Sequence, residues 1–424
     1  MAKNASFQAV IIAAGESSRF WPLNEGHKSL LPVMGKPLIC WTIAGLVKAG
    51  VKDIIIVVGP NSAIEKEIGG GKNMSANVSY VVQPKPIGTG NAIFQAKNKI
   101  NRSFIVLHPY KYYIEDIASK IIKDKKLGRK TVLVGSPTNR PQDFGILRFD
   151  KGGIVGIIEN PAIGKEPSGY RSVGIYGFEP EFFSFYVKTD QVKEDNLIDT
   201  INLLIKNDPA GFIKLNEEPL TLKYPWNVFP IFKGMIEMMS KRIISRVTDE
   251  RNQITGKVII GKNVKIGMNT VIEGPCYIGN NVTIGANNIM RGPFDLEDGV
   301  ITGAFTEIKN CFIGHDTHIH SGYFGDSIIG ENCRVGAGFT SANRRIGRDN
   351  IFSSVKGEIV DTKLTSFGCI IGSGSRLGVN VSTMPGVFIG RNAIIGPGTI
   401  VKENVENNTT YYSEFKTIKK KNNA

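Results

Sequence analysis

The sequence predicts an α/β protein in two successive parts: a doubly wound mixed sheet of Rossmann-like type, then a parallel β-helix of hexapeptide repeats. Two observations carry this expectation. Up to residue 228, continuous apolar runs alternate with helix-like stretches; from residue 254 onward, glycine follows an aliphatic residue at a spacing of six. Composition agrees. Gly accounts for 48 of 424 residues without low complexity, which calls for many tight turns rather than disorder. A 41% hydrophobic and 21% charged chain of this length is globular and long enough for two or three domains.

Residues 8–14 (QAVIIAA) are apolar throughout, as in a parallel strand covered on both faces. A small, turn-prone segment, Gly15 to Arg19, follows. Residues 38–49 read as a helix, and 54–59 (IIIVVG) and 104–108 (FIVLH) as further buried strands. Strand, helix, strand in this order implies βαβ units. The runs 144–149 (FGILRF), 153–159 (GIVGIIE) and 172–178 (SVGIYGF) add mixed strands. This first domain is expected over 1–228. A linker helix is expected over 229–253, with Ile231, Met235, Met238 and Met239 on one face.

The repeat region has glycines at 261, 267, 279, 285, 330, 336, 372, 378, 390 and 396. Its unit is aliphatic, Gly, two variable positions, a small residue or Val, and one more variable position, as in IGKNVK (260–265) and IGNNVT (278–283). Each hexapeptide makes a short strand and a turn, with the aliphatic side chain inward and glycine expected at the sharp corner. Three units close one coil. Residues 254–403 then hold about eight coils, with insertions expected near 292–325 and 340–368. The β-helix domain is expected over 254–410 and a basic tail over 411–424, where Lys416 to Lys421 read as a solvated end.

Net charge is +14. No aromatic-interleaved RNA motif or DNA-reading helix accompanies it, so the charge points to phosphorylated small molecules rather than nucleic acid. No apolar run reaches the ~18 residues of a membrane span, and no secretory leader pattern is present. The five cysteines (40, 276, 311, 333, 369) are scattered without a CxxC pair. A disulfide framework or zinc site is therefore not expected, and a reducing cytoplasm is.

The segment AAGESSRFWPLNEGHKSLLPVMGKP (13–37) carries a Gly-rich turn between strand and helix, where backbone N–H groups can face phosphates. It resembles the signature of the sugar-1-phosphate nucleotidylyltransferases, and QPKPIGTG (83–90) resembles their second motif. The resemblance implies a nucleoside triphosphate or nucleotide sugar held by Ala13, Ala14, Gly15, Gln83, Gly88 and Thr89, with Gln83 reading the base. Arg19 and Lys28 are implied to neutralise charge at the α-phosphate and the departing pyrophosphate, and Gly145 and Glu159 to bind the sugar. It also implies Mg²⁺, although the two positions of the family's metal-binding carboxylates are Tyr110 and about Thr221 here. Glu115 and Asp116 are the nearest acids to Tyr110. Ser17 stands at a family glycine, Asn160 at a family lysine and Ser172 at a family asparagine.

In the repeat region, MRGPF (290–294), FTEIKN (305–310), HSGYFGDS (320–327), IGENCRVGAG (329–338) and SAN (341–343) resemble the acetyltransferase half of the bifunctional N-acetylglucosamine-1-phosphate uridylyltransferase/glucosamine-1-phosphate acetyltransferase family, archaeal relatives included. Together the resemblances cover the chain to about residue 405. They imply a left-handed coil, a homotrimer, and acetyl transfer from acetyl-CoA to the amine of a hexosamine 1-phosphate. An imidazole titrates near neutral pH, so His320 suits the general base. Arg291 and Lys309 match phosphate-binding cations, Tyr323 and Asn343 sugar and amine contacts, Ala337 and Ser373 coenzyme contacts. Lys356 is a further candidate for coenzyme or phosphate, while Arg334 replaces a family asparagine. Two other readings stay open: a nucleotidylyltransferase whose β-helix only trimerises it, and a non-catalytic sugar-nucleotide-binding regulator. HDTHIH (315–320), with three of the five histidines, leaves a divalent metal open as well.

Overall fold

The computed structural model describes residues 7–190, 196–239 and 250–420. It divides into two compact units, one of residues 1–17, 26–31 and 36–221, the other of residues 18–25, 32–35 and 222–424. Two short pieces of the N-terminal signature segment thus group with the C-terminal unit, which a boundary at residue 228 does not anticipate.

The N-terminal unit is built on strands β1 (Gln8–Ala13), β2 (Asp53–Val58), β3 (Asn77–Val82), β4 (Phe104–Leu107), β5 (Val132–Pro137), β6 (Gly145–Asp150), β7 (Gly153–Glu159), β8 (Tyr170–Phe178) and β9 (Gly211–Lys214). Their order is β9-β5-β8-β4-β1-β2-β3, with β6 pairing β8 and β7. β4, β1, β2 and β3 run parallel, and β8 enters antiparallel between β4 and β5. Ala9, Val10, Ile11 and their β4 neighbours Ile105 and Leu107 are fully buried, which explains the unbroken apolar runs. Helix α1 (Leu38–Lys48) buries Leu38, Ile39, Ile43 and Leu46 on one face. Helices α2 (Ile114–Lys126) and α3 (Asn196–Asn207) also cover the sheet.

Helix α4 (Val228–Met238) is shorter than the expected linker helix. Met239 is already extended, Met238 is exposed rather than sharing the buried face, and residues 253–255 form a strand. Residues 240–249 of that expectation lie outside the described residues.

The C-terminal unit is a left-handed parallel β-helix with three flat faces of eight, seven and eight strands. The first face runs from Gln253–Thr255 through Ile289–Arg291, Thr306–Lys309 and Gly322–Gly325 to Ile400–Val401; the third includes His318–Ile319, Arg334–Val335 and Arg376–Leu377. Val258 pairs with Cys276 eighteen positions on, but Phe312 pairs with Ile328 only sixteen on. The coils around 292–325 are therefore shortened, correcting the insertion expected there. The insertion after residue 340 is real: Ile328 pairs next with Ile370, and the hairpin Phe352–Val355/Glu358–Asp361 lies between. Inside the coil a column of aliphatic side chains packs with the stacked Phe324 and Phe339 rings (4.8 Å) and the free Cys276, Cys311, Cys333 and Cys369. No helix among the described residues is long and apolar enough to cross a membrane.

Candidate functional sites

The first site follows from strand order. From β1 the chain winds to β2 and β3 on one side, then crosses to β4 on the other. The ends of β1 and β4 thus diverge at a topological switch point, where open α/β sheets bind ligands. A cavity of about 230 Å³ opens there, lined by Ile12 of β1 with Ala14 and Gly15 after it, His27 and Lys28, Gln83, Pro86, Gly88 and Thr89 after β3, and His108, Pro109 and Tyr110 after β4. Ala13 is buried inside the sheet and does not line it. A Cβ at Gly15 would meet nothing within 4 Å, so that glycine leaves room at the cavity rather than solving a packing problem.

Gly88 has φ +105°, a conformation that side-chain-bearing residues rarely adopt. The Gln83 amide nitrogen donates to Gly88 O (3.1 Å) and Asn91 Oδ1 (3.0 Å); it fixes the loop, leaving the carbonyl oxygen as the group that could meet a base. Ser17, at a family glycine, has φ +53°, and its hydroxyl accepts from the Lys28 N–H at 3.0 Å. Asn160 has φ +43° and donates its N–H to Phe144 O, a left-handed position that Asn tolerates.

Among the described residues no carboxylate lines this cavity. Burial and nearby Lys28 push His27 down to about 3; burial, Lys111 and Lys28 do the same for His108, so both rings are neutral near pH 7. The His108 ring lies nearly parallel to Tyr110 (5.8 Å between centroids), and the Lys28 ammonium is 5.2 Å from the Tyr110 centroid. Burial holds the Tyr110 phenol up at about 12. Arg19, in the turn Ser18–Phe20, is exposed and belongs to the C-terminal unit rather than to the unit that holds the cavity. Thr221 is exposed and also outside the lining; Glu115 is on α2, paired with Lys48 at 3.4 Å. Gly145 and Glu159 face each other in the β6–β7 register, and a Cβ at Gly145 would lie 2.5 Å from Glu159 Oε2. They form their own corner beyond the cavity lining.

In the β-helix, four expected binding residues gather on the first face. Arg291 is in register with Lys309, and Glu307 with Tyr323. Arg291 pairs with Glu307, and Lys309 with Asp326 at 3.2 Å. Asp326, only 4% exposed, also accepts from Asn310 Nδ2 at 2.7 Å and Asn343 Nδ2 at 2.5 Å. Asn343 donates to the Tyr323 hydroxyl at 3.2 Å. Sequence reading missed Asp326 as the hub, although it sits in the quoted HSGYFGDS run.

His320 lies at the corner where the chain turns into strand Gly322–Gly325, whereas Lys309 ends the strand beneath it. A four-residue strand, roughly 13 Å, separates these two corners. His320 therefore lines a different space, a groove of about 690 Å³ with Phe305, His318, Ser321, Arg334, Ala337 and Arg376 among its walls. His318, Arg334 and Arg376 are in register with one another on successive coils, a ladder that ends in two guanidiniums. Arg376 was missed in the sequence because the 340–368 insertion hides its register. His318 is pushed down by burial and by Arg334. Ser373 lies outside this groove, its hydroxyl accepting from Glu331 N–H at 3.3 Å, and Lys356 is exposed at the tip of the inserted hairpin. The metal alternative for HDTHIH finds no support: His315 is bound between Asp316 and Glu331, both at 3.0 Å, and among the described residues no group of three or more His, Cys, Asp or Glu could hold an ion.

Comparison with known proteins agrees with both halves. The nucleotidyl transferase family matches residues 8–219, the bacterial transferase hexapeptide (six repeats) residues 257–292, and the hexapeptide repeat of succinyl-transferase residues 368–403. A "Bifunctional protein GlmU" of Methanococcus maripaludis is 35% identical over 422 residues, covering 98% of this chain and 100% of the relative. A "Bifunctional sugar-1-phosphate nucleotidylyltransferase/acetyltransferase" of Sulfurisphaera tokodaii is 31% identical over 417 residues, covering 96% and 99%. A GlmU of Methanocaldococcus jannaschii is 30% identical over 418 residues, covering 97% and 99%. With a switch-point cavity in one unit, a histidine-bearing groove in the other and full-length relatives of this kind, the chain belongs to the family of bifunctional sugar-1-phosphate nucleotidylyltransferase/acetyltransferases, and is a transferase.

Proposed function

We propose that the β-helix transfers the acetyl group of acetyl-CoA to the amine of a hexosamine 1-phosphate, and that the N-terminal unit handles the nucleotide sugar made from the product. The observation that carries the first part is the pairing of His320 and Ala337 in one groove with Arg334 and Arg376. The guanidiniums suit the phosphates of the coenzyme, and the groove's apolar walls suit its thioester arm. The sugar lies along the first face, its phosphate toward Arg291 and Lys309 and its ring over Tyr323 and Asn343. His320 takes the proton as the amine nitrogen attacks the thioester carbon, and the coenzyme leaves as its thiolate. A neighbouring copy covering this face in a homotrimer closes the site, with Lys356 or Ser373 reaching the coenzyme from there. Four buried free cysteines fit a reducing cytoplasm.

The test is thiol release from acetyl-CoA with glucosamine 1-phosphate. His320→Ala is expected to lower the rate by about 10²-fold or more; an unchanged rate rejects His320 as base.

At the N-terminal unit, Ala14, Gly15, Gln83, Gly88, Thr89 and Lys28 suit a nucleoside triphosphate or nucleotide sugar. Mg²⁺ does not fit the residues present. Hard cations need oxygen ligands, chiefly carboxylates, and the cavity offers lysine, neutral histidine and a protonated phenol instead.

A further inference from the structure

Lys111 is a buried amine with no acid paired to it among the described residues. It directly follows Tyr110 and is 2% exposed. Its ammonium lies 5.3 Å from the centroid of the Tyr110 ring and 5.8 Å from that of Tyr113. Among the described residues its side chain has neither a hydrogen bond nor an ion pair; its backbone N–H donates to Thr42 Oγ1 at 2.8 Å and its carbonyl accepts from the Ile114 N–H at 3.0 Å. The nearest charges are positive. Burial first, then Arg171 and Lys28, push Lys111 down to about 7. Arg171 has its own acid in Glu218 at 3.4 Å, so it brings no spare anion to Lys111.

Buried ammonium groups normally carry a partner, because desolvation without one is costly. Two aromatic faces offset part of that cost through cation–π attraction but leave the charge uncompensated. The missing anion has a natural entrance. The Tyr110 ring that Lys111 approaches is a wall of the switch-point cavity, and Lys28 stands 5.2 Å from the same ring centroid. Two lysines therefore approach one ring of a cavity that has no carboxylate in its wall among the described residues, and a bound anion would hold both fully charged. Two lysines carry the charge of one divalent ion, and a diphosphate carries the complement.

We infer that Lys28 and Lys111 neutralise phosphate charge in place of a divalent metal, so that the N-terminal cavity is a metal-independent site for the diphosphate of a nucleotide or nucleotide sugar. This rests on the reading of that unit as nucleotide-binding. Lys111 acts as a point charge near the phosphates, while Tyr110, held protonated, gives its face to the cations and its hydroxyl to the ligand.

Calorimetry on the full chain tests it, with UTP and UDP-N-acetylglucosamine as probes, in EDTA and in excess MgCl₂. Affinity for UDP-N-acetylglucosamine is expected to change less than about threefold between the two conditions. Lys111→Met is expected to weaken binding in EDTA at least tenfold while raising the melting temperature of the unliganded protein, since it removes an uncompensated charge. Tyr110→Asp, which sets a carboxylate against the phosphates, is expected to weaken binding in EDTA at least tenfold and to recover part of it with Mg²⁺. Binding seen only with Mg²⁺, or unchanged affinity of both variants in EDTA, overturns the inference. No binding of either probe under any condition overturns the underlying nucleotide-site reading instead.

Discussion

At the scale of single residues, the two sites solve opposite charge problems. On the first face of the β-helix, cations and acids alternate: Arg291 with Glu307, Lys309 with Asp326. A phosphate binding there competes with carboxylates already in place, so the grip is selective rather than strong. In the groove beside it, Arg334 donates to Asp316 O and Cys333 O, both main-chain carbonyls that leave its charge uncancelled. Arg376 stands in register with it on the next coil. Arg376→Ala is expected to raise the KM for acetyl-CoA about tenfold with little change in the KM for glucosamine 1-phosphate, the loss of one charge-assisted contact. Equal shifts in both KM values would place Arg376 outside the coenzyme path.

Secondary-structure elements reveal why the hexapeptide reads as it does, and correct one expectation. The recurring glycines do not supply the left-handed corner. Their φ is ordinary; a Cβ at Gly261, Gly267, Gly279 or Gly285 would meet the main chain of the next coil at 2.5–2.6 Å, or the Asp298 carboxylate in the case of Gly279. The left-handed residue is the asparagine two positions on: Asn263, Asn269, Asn281 and Asn287 have φ between +56° and +58°. Glycine is there for coil-to-coil approach, asparagine for the bend. Gly285→Ala is therefore expected to destabilise the β-helix by about 2–3 kcal/mol or more, and Asn287→Ala by only about 1 kcal/mol. Denaturant midpoints at fixed slope would decide; equal losses would refute the division of labour.

For the molecule as a whole, one pH-dependent contact is made by Asp295 and Glu297, on a second-face strand and just after it. They accept the N–H groups of Met34 (2.8 Å) and Gly35 (3.1 Å), pinning a piece of the signature segment to the C-terminal unit. Burial pushes Glu297 up to about 7, with Asp298 and Glu331 adding to the rise and Gly35 N–H and His315 opposing it; burial and Glu297 also raise Asp295. A raised carboxylate means the folded state holds a proton that the unfolded chain has lost. Stability contributed by Glu297 is then present below its unfolded value, near 4.5, and falls as pH rises toward 7. His27, His108 and Lys111, all pushed down, act in the opposite direction, so the Glu297 contribution is read from a variant by thermal unfolding: against wild type, Glu297→Gln is expected to shift the stability difference between pH 5.5 and pH 8 by on the order of 2 kcal/mol in favour of pH 8. A variant that keeps the full difference would assign it elsewhere.

Local patterns determined much of this protein. Burial of β1, β2 and β4 on both faces leaves no polar alternation, and the six-residue spacing survives because each coil repeats the same contacts, so both architectures are legible residue by residue. Lys28, Gln83 and Gly88 were legible for the same reason: a phosphate loop is local in sequence. What the chain folds together from afar was not. The separation of His320 from Arg291 and Lys309 depends on which corner of a coil each occupies; the Arg334–Arg376 ladder closes across an insertion; Ser18–Glu25 groups with the far unit while its neighbours do not. Lys111 is an unremarkable letter in the sequence. Only the tertiary structure buries it with no acid paired to it among the described residues, and it is that burial which makes the residue a group in need of an anionic ligand.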